Sequence, residues 1–271
     1  MRIVITGSSG SVGKAVVKLA LEEGHDILCV DRVKGDDSSA PFQQVELSEY
    51  DTVVKAFQGY EAVIHMAAIP APGYHPDHVV HNNNVVSSYN VLRAAVEVGI
   101  KRVCQASSVN AAGLAYSRWP RFDYFPLDEE HPTYNEDPYS LSKWMCEEQG
   151  NSFARRYEDM TIASMRFHWV VPGRSFAVQA KGYSQTKFAA KNLWAYTSFA
   201  AAARACLLSL SADYAGHEVF YIVAADTIAD VPSLELKEKF FPDVPLRGDL
   251  SGNKSFFNSS KAEQMLGWNH G

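Results

Sequence analysis

The chain has 271 residues, with 25 Lys and Arg against 31 Asp and Glu, for a formal net charge of −6. That length can bury a full core without disulfides or a structural metal, and it allows one or two domains. The acidic balance disfavours a grip on nucleic acid or on an anionic membrane. Cys29, Cys104, Cys146 and Cys206 lie far apart and form no CxxC pair, which argues against a zinc knuckle or a disulfide framework. The first residues run straight into a Gly-rich turn without a secretory pattern. The most apolar later stretch, 193–212, is interrupted by Arg204 and several serines and reads as a core helix. The expectation is a cytoplasmic enzyme or small-molecule binder, with no nucleic-acid and no membrane partner.

In chain order, the apolar run 3–5 predicts a strand covered on both faces. Val12, Ala15, Val16, Leu19 and Ala20 recur at helical spacing, which predicts a helix over 11–23 that Gly24 stops. Strands are expected at 27–30 and 42–47, a helix at 50–57, a strand at 62–64, and a long helix at 79–98 ended by Gly99. A fifth strand follows at 102–106, then a helix at 139–157 and a sixth strand at 161–165. Strands alternating with helices imply parallel pairing through right-handed crossovers. The expected fold class is α/β, a Rossmann-like doubly wound parallel sheet over residues 1–166. Beyond it come a loop-rich stretch, a helix near 194–210 and a strand at 219–223. Residues 167–271 are expected to form a small C-terminal substrate lobe with segments returning to the sheet.

Residues 6–13, Thr-Gly-Ser-Ser-Gly-Ser-Val-Gly, leave the first strand and open the first helix. Glycines let the backbone turn tightly and approach a pyrophosphate, while the helix N-terminus supplies N–H donors and a positive dipole end. Asp31 ends the second strand, where a carboxylate can accept from an adenosine ribose and would repel a 2′-phosphate. That favours NAD over NADP, although Arg32 and Lys34 next to it leave NADP possible.

Tyr139 and Lys143 stand four apart at the start of a helix, on one face. An ammonium near the phenol, together with a nicotinium charge, favours phenolate, so Tyr139 can act as general acid or base at a substrate hydroxyl. Ser107 and Ser108 follow the fifth strand, at the sheet edge where ligands bind such folds, and a Ser hydroxyl there can polarise the same carbonyl.

With these residues the chain resembles an extended short-chain dehydrogenase/reductase of the NAD-dependent epimerase/dehydratase family. The resemblance covers nearly the whole chain. It rests on residues 6–13, Asp31, the His65-Met-Ala-Ala run, Asn84, Ser107 with Ser108, Tyr139 with Lys143, and Leu266-Gly-Trp near the end. It implies Ser108, Tyr139 and Lys143 as the catalytic triad; Gly113, five residues after Ser108, selects Ser108 over Ser107. It implies a cofactor site built from Gly7, Ser9, Gly10, Ser11, Val12, Gly13, Asp31, Arg32, Met66, Ala67, Ala68, Asn84, Ala106, Ser107, Phe167 and His168. Glu46 and Leu47 would lie at the adenine, and Lys143 would also hold the nicotinamide ribose. Ile69, His75, Ser108, Asn110, Tyr139, Trp169 and Lys191 are the expected substrate contacts. The resemblance further implies a homodimer through the helices at 79–98 and 139–157.

The departures bear on chemistry. Val109 follows Ser108 where sugar-nucleotide 4,6-dehydratases carry an Asp-Glu pair, so dehydration is disfavoured. Trp169 replaces the Asn that contacts a nucleotide-sugar diphosphate in the family. The short lobe and the Asn192-Leu-Trp-Ala-Tyr segment resemble uronate dehydrogenases, but Val109 and Asn110 stand where those enzymes have Asn and His. His75, His78 and His81 recur at intervals of three, which drift around a helix, so they read as a substrate-contacting loop and not as a metal site. Trp119, Phe122, Tyr124 and Phe125 either roof the substrate pocket or pack their own loop. Three functions follow. The first is an NAD-dependent oxidoreductase at a secondary alcohol or ketone of a compact, carbohydrate-like substrate. The second is a nucleotide-sugar epimerase with tightly held NAD. The third is an NAD(H)-sensing binding protein without turnover.

Overall fold

The computed structural model describes residues 1–35, 40–181 and 186–271. The first half alternates β1 (Arg2–Thr6), α1 (Ser11–Glu22), β2 (Asp26–Asp31), β3 (Phe42–Gln44), α2 (Tyr50–Phe57), β4 (Ala62–His65), α3 (Asp77–Val98), β5 (Arg102–Ser108), α4 (Pro138–Arg156) and β6 (Thr161–Phe167). Then come β7 (Val170–Val171), α5 (Arg174–Lys181), α6 (Lys187–Lys191), β8 (Thr197–Ser198), α7 (Phe199–Ser211), β9 (Gly216–Ile222), α8 (Ser233–Phe240) and α9 (Ser260–Leu266).

The main sheet has seven strands in the order β3-β2-β1-β4-β5-β6-β9, and every pairing is parallel. Side chains alternate between two covered faces. Ile3 and Ile5 pack with α1 and α7, while Val4 packs with Val53, Phe57, Val91 and Leu92 of α2 and α3. A third apolar cluster joins Phe125, Trp194, Tyr221, Phe241 and Phe256. The strand order reverses direction between β1 and β4, and in such sheets the crevice outside the strand C-termini at that point receives the ligand.

β9 and α7, both beyond residue 166, complete the sheet and cover its α1 face. Three differences from the sequence reading bear on the site, while other element ends shift by one to three residues. The strand expected over 42–47 pairs only through Gln44; Val45 still donates to Asp31 O, and the chain then turns toward α2. The helix expected near 194–210 starts at Phe199, because Leu193 and Trp194 adopt φ of 53° and 50° and Ser198 caps the helix on Ala201 N. Ser107 and Ser108 are the last two residues of β5, not its exit loop. Among the described residues no helix is long and apolar enough to cross a membrane, and no three His, Cys, Asp or Glu side chains group to hold a metal.

Candidate active site

The crevice starts at the turn after β1. Gly7 takes φ +67°, and a Cβ there would stand 2.4 Å from Ala67 N; one on Gly13 would stand 2.1 Å from Gly7 O. Only glycines allow this packing of turn, helix and neighbouring loop. No side chain caps the start of α1, so its first N–H groups remain for a ligand. A cavity of about 300 Å³ opens here, lined by Gly7, Ser9, Gly10, Asp31, Arg32, Glu46, Leu47, Met66, Ala67 and Ala68. Asp31 is fixed by its surroundings: Ser9 N donates to Oδ2 at 3.0 Å and Arg32 N to Oδ1 at 2.7 Å.

A second cavity, of about 360 Å³, shares the Met66 and Ala68 wall with the first. Val12, Ala106, Ser107, Ser108, Asn110, Tyr139, Lys143, Phe167, His168 and Trp169 line it. α4 delivers Tyr139 in its first turn because Asp137 caps that helix, its Oδ1 accepting from Tyr139 N at 3.0 Å and Ser140 N at 2.9 Å, with Pro138 at the first position. Tyr139 stands beside Ser108, whose hydroxyl lowers its pKa, and Ser108 Oγ accepts from Asn110 N at 3.1 Å and from Asn110 Nδ2 at 3.3 Å. Lys143 Nζ donates to Ala106 O at 2.8 Å and lies 5.9 Å from the Tyr139 ring centre.

Burial pushes the Tyr139 phenol above its ordinary value, outweighing the neighbouring Ser108 hydroxyl that lowers it. Burial also pushes the Lys143 amine down. Beneath the triad, Arg166 binds Glu147 through two contacts of 2.9 and 2.8 Å, and Ser107 Oγ donates to Glu147 at 2.5 Å. Tyr221 OH accepts from the same guanidinium at 3.2 Å, so this buried charge is matched.

Six expected contacts line neither cavity. Ser11 and Gly13 are two of them, and what they offer a ligand is the uncapped N–H groups at the start of α1. Asn84 faces inward: its Oδ1 accepts from Ile69 N, and its Nδ2 donates to Ile69 O and Ser142 Oγ. Asn83 and Ser87, one turn apart on the neighbouring face of α3, line the first cavity instead. Ile69 is buried against Val80 and Tyr139 and lines neither cavity. His75 is exposed before α3, while His78 and His81 stand on α3 itself and not in a loop, and none of the three lines either cavity. Lys191 misses the second cavity; Phe188 and Asn192, four apart, face it. Pro70, Ala115 and Tyr116 also line it, and no periodicity in the sequence marks these loop residues. Of the loop aromatics, Trp119 stacks on Phe241, and Phe122 and Phe125 join Phe241 in the third cluster, so the loop packs onto the end of α8 and these three line neither cavity.

A parallel sheet with this strand order, bearing Tyr and Lys on the helix that lines a dinucleotide-type crevice, defines an enzyme of the extended short-chain dehydrogenase type. Residues 3–191 match the NAD dependent epimerase/dehydratase family, and the chain belongs to it. The L-arabinose 1-dehydrogenase (NAD(P)(+)) of Haloferax volcanii is 27% identical over 176 residues, covering 63% of this chain and 67% of that protein. Matched stretches span 67%, 62% and 52% of the lengths of three such relatives. Among solved structures, MoeE5 in complex with UDP-glucose and NAD superposes with a TM-score of 0.76 at 20% identity, over 100% of this chain and 94% of that one. A mutated uronate dehydrogenase superposes with a TM-score of 0.70 at 20% identity, over 98% and 80%. At these identities the two structures share the fold.

Proposed function

We propose that the chain is an NAD-dependent oxidoreductase acting on a secondary alcohol, or its ketone, in a compact substrate. The observation that carries this reading is that Ser108, Tyr139 and Lys143 line one cavity, which shares a wall with the Gly-rich crevice. The crevice fits NAD: the crowded glycines leave room for a pyrophosphate, the uncapped helix start offers N–H donors, and the fixed Asp31 carboxylate suits ribose hydroxyls. When bound, NAD supplies the hydride acceptor and a positive ring charge.

The chain's own groups do the rest. Tyr139 takes the proton of the substrate hydroxyl in oxidation and returns it in reduction. Ser108 donates to the same substrate oxygen and stabilises the charge that develops there. Lys143, held by Ala106 O, orients the cofactor ribose and adds its charge beneath the phenol. A homodimer through α3 and α4 belongs to this reading, and exposed Val86, Tyr89 and Leu141 on those helices support it.

The test is to incubate the protein with NAD and a panel of alcohols and watch for NADH. Accumulating NADH that the Tyr139→Phe variant fails to produce supports the proposal. Conversion of one sugar nucleotide to its epimer with no net NADH would replace it with the epimerase reading.

A further inference from the structure

We infer that the substrate is an uncharged alcohol or ketone with one reactive oxygen and an apolar ring body, not a sugar acid, a nucleotide sugar or a polyhydroxylated sugar. This rests on the dehydrogenase reading above and narrows its substrate class away from the carbohydrate expected from the sequence.

Charge is the first argument. Among the described residues lining the second cavity, Lys143 is the only Lys or Arg, and its Nζ is bound to Ala106 O beside the reacting oxygen. Two described cations of the lobe, Arg174 and Lys191, do not serve the cavity. Arg174 donates to Asp226 at 2.8 Å and to Thr227 O at 3.3 Å, and Lys191 lies off the cavity wall. A carboxylate or diphosphate entering here would give up its hydration with no second cation to meet it.

Hydrogen bonding is the second. Several polar side chains around the triad are already bonded within the protein. Ser107 donates to Glu147, Asn110 joins Ser108 Oγ to Ala115 N, and Asn192 Nδ2 donates to Phe188 O. His168 accepts from Trp169 N at 2.7 Å through Nδ1 and donates to Asn192 O at 2.9 Å through Nε2. Ser108 and Tyr139 are left as the pair that meets a reactive oxygen, and Tyr116 adds one further hydroxyl to the wall. Each extra substrate hydroxyl buried here without a partner lowers kcat/KM about tenfold.

Shape is the third. Beyond the reacting oxygen the walls are Pro70, Val109, Ala115, Tyr116, Trp169 and Phe188. Tyr116 stands edge-on to Tyr139, ring centres 5.8 Å apart, so a ring seated between Tyr116 and Trp169 would present its substituent oxygen to the phenol.

The experiment measures NADH formation at saturating NAD from cyclohexanol and 1-indanol against D-glucose, D-glucuronate and UDP-glucose. Expected is a kcat/KM for the ring alcohols at least about tenfold above that for glucose, with no rate from glucuronate or UDP-glucose. Glucuronate, glucose or UDP-glucose as the better substrate overturns the inference and leaves the dehydrogenase reading standing. If nothing is oxidised, that reading falls, and calorimetric titration of the NADH complex with cyclohexanone and with UDP decides the cavity's preference. Binding of cyclohexanone and not UDP supports the inference; binding of UDP, or of neither, overturns it.

Discussion

Two nitrogens of Asn110, its backbone N–H and its Nδ2, donate to one oxygen, Ser108 Oγ, at 3.1 and 3.3 Å. With its acceptor sites taken, the Ser108 hydroxyl keeps its proton for the oxygen that faces it, which in the proposed complex is the substrate oxygen. Asn110→Asp would set an acceptor where this donor stands, and would keep the Oδ1 bond that Ala115 N makes. Expected is a loss of about a hundredfold in kcat for Asn110→Asp and about tenfold for Asn110→Ala, which retains the backbone donor. Steady-state kinetics on both variants decide it; equal losses would show that Asn110 does not set the direction of the Ser108 proton.

The Tyr139 phenol is held protonated by burial, above its ordinary range. Alcohol oxidation needs the phenolate and ketone reduction needs the phenol. The oxidation rate therefore climbs with pH through neutrality into the alkaline range, while reduction stays level until the phenol ionises. Tyr139→Phe is expected to lose at least about a hundredfold in both directions. A pH–rate profile in each direction checks the sign; an oxidation rate already flat below neutral pH would contradict it.

The residues that could be placed from sequence are those whose geometry is local. The Gly7 turn, Asp31 at a strand end, and Tyr139 with Lys143 four apart carry their arrangement in spacing alone, and all of them line the two cavities. Which face of α3 meets the crevice depends on α4: Ser142 accepts from Asn84 Nδ2, and Asn83 and Ser87 line the first cavity, an outcome that spacing within α3 does not encode. Tyr116, Pro70 and Phe188 reach the substrate cavity from loops or a five-residue helix, where no periodicity marks an inward face. Leu193 and Trp194 look helical by composition, but their positive φ depends on packing Trp194 against Phe240 and Phe256.

Glu147 and Arg166 form a buried pair, 3% and 7% exposed, whose charges meet each other beneath the active site. Removing the carboxylate charge leaves a guanidinium in the interior, and such breaks destabilise by about 3–5 kcal/mol, whereas replacing both partners by apolar groups is far milder. Glu147→Gln is expected to fall in that range, and the double variant Glu147→Leu, Arg166→Met to recover most of it. Urea unfolding of the three proteins tests this. A single variant within about 1 kcal/mol of the parent would show the pair to be dispensable.

His65 is buried, with Nδ1 2.7 Å from Thr6 Oγ1, and desolvation together with the Lys143 charge pushes its pKa down to about 3. The unfolded chain protonates this imidazole below about pH 6.5, and the folded chain does not until about pH 3. Folded stability from this group is thus present above pH 6.5 and drains away below it, by about 1.4 kcal/mol per pH unit. His65→Gln should flatten the acid limb of the stability curve by one proton, read from urea unfolding at a series of pH values down to about pH 4.5. An unchanged slope would mean that His65 is protonated in the folded protein.

Asp31 ends β2 at the mouth of the crevice, and the N–H groups of Ser9 and Arg32 fix both of its oxygens. In the proposed NAD complex this carboxylate accepts from the ribose hydroxyls and repels a 2′-phosphate, while the exposed Arg32 beside it offers that phosphate a charge. Asp31→Ser keeps a hydrogen-bonding side chain and removes the repulsion. Expected is a fall of about tenfold in kcat/KM for NAD and a comparable rise for NADP, a change of about a hundredfold in preference. Adding Arg32→Ala should cancel the NADP gain without restoring NAD. Kinetics with both cofactors on the three proteins measure the ratio; a ratio that stays at the parent value in Asp31→Ser would show that this carboxylate does not choose the cofactor.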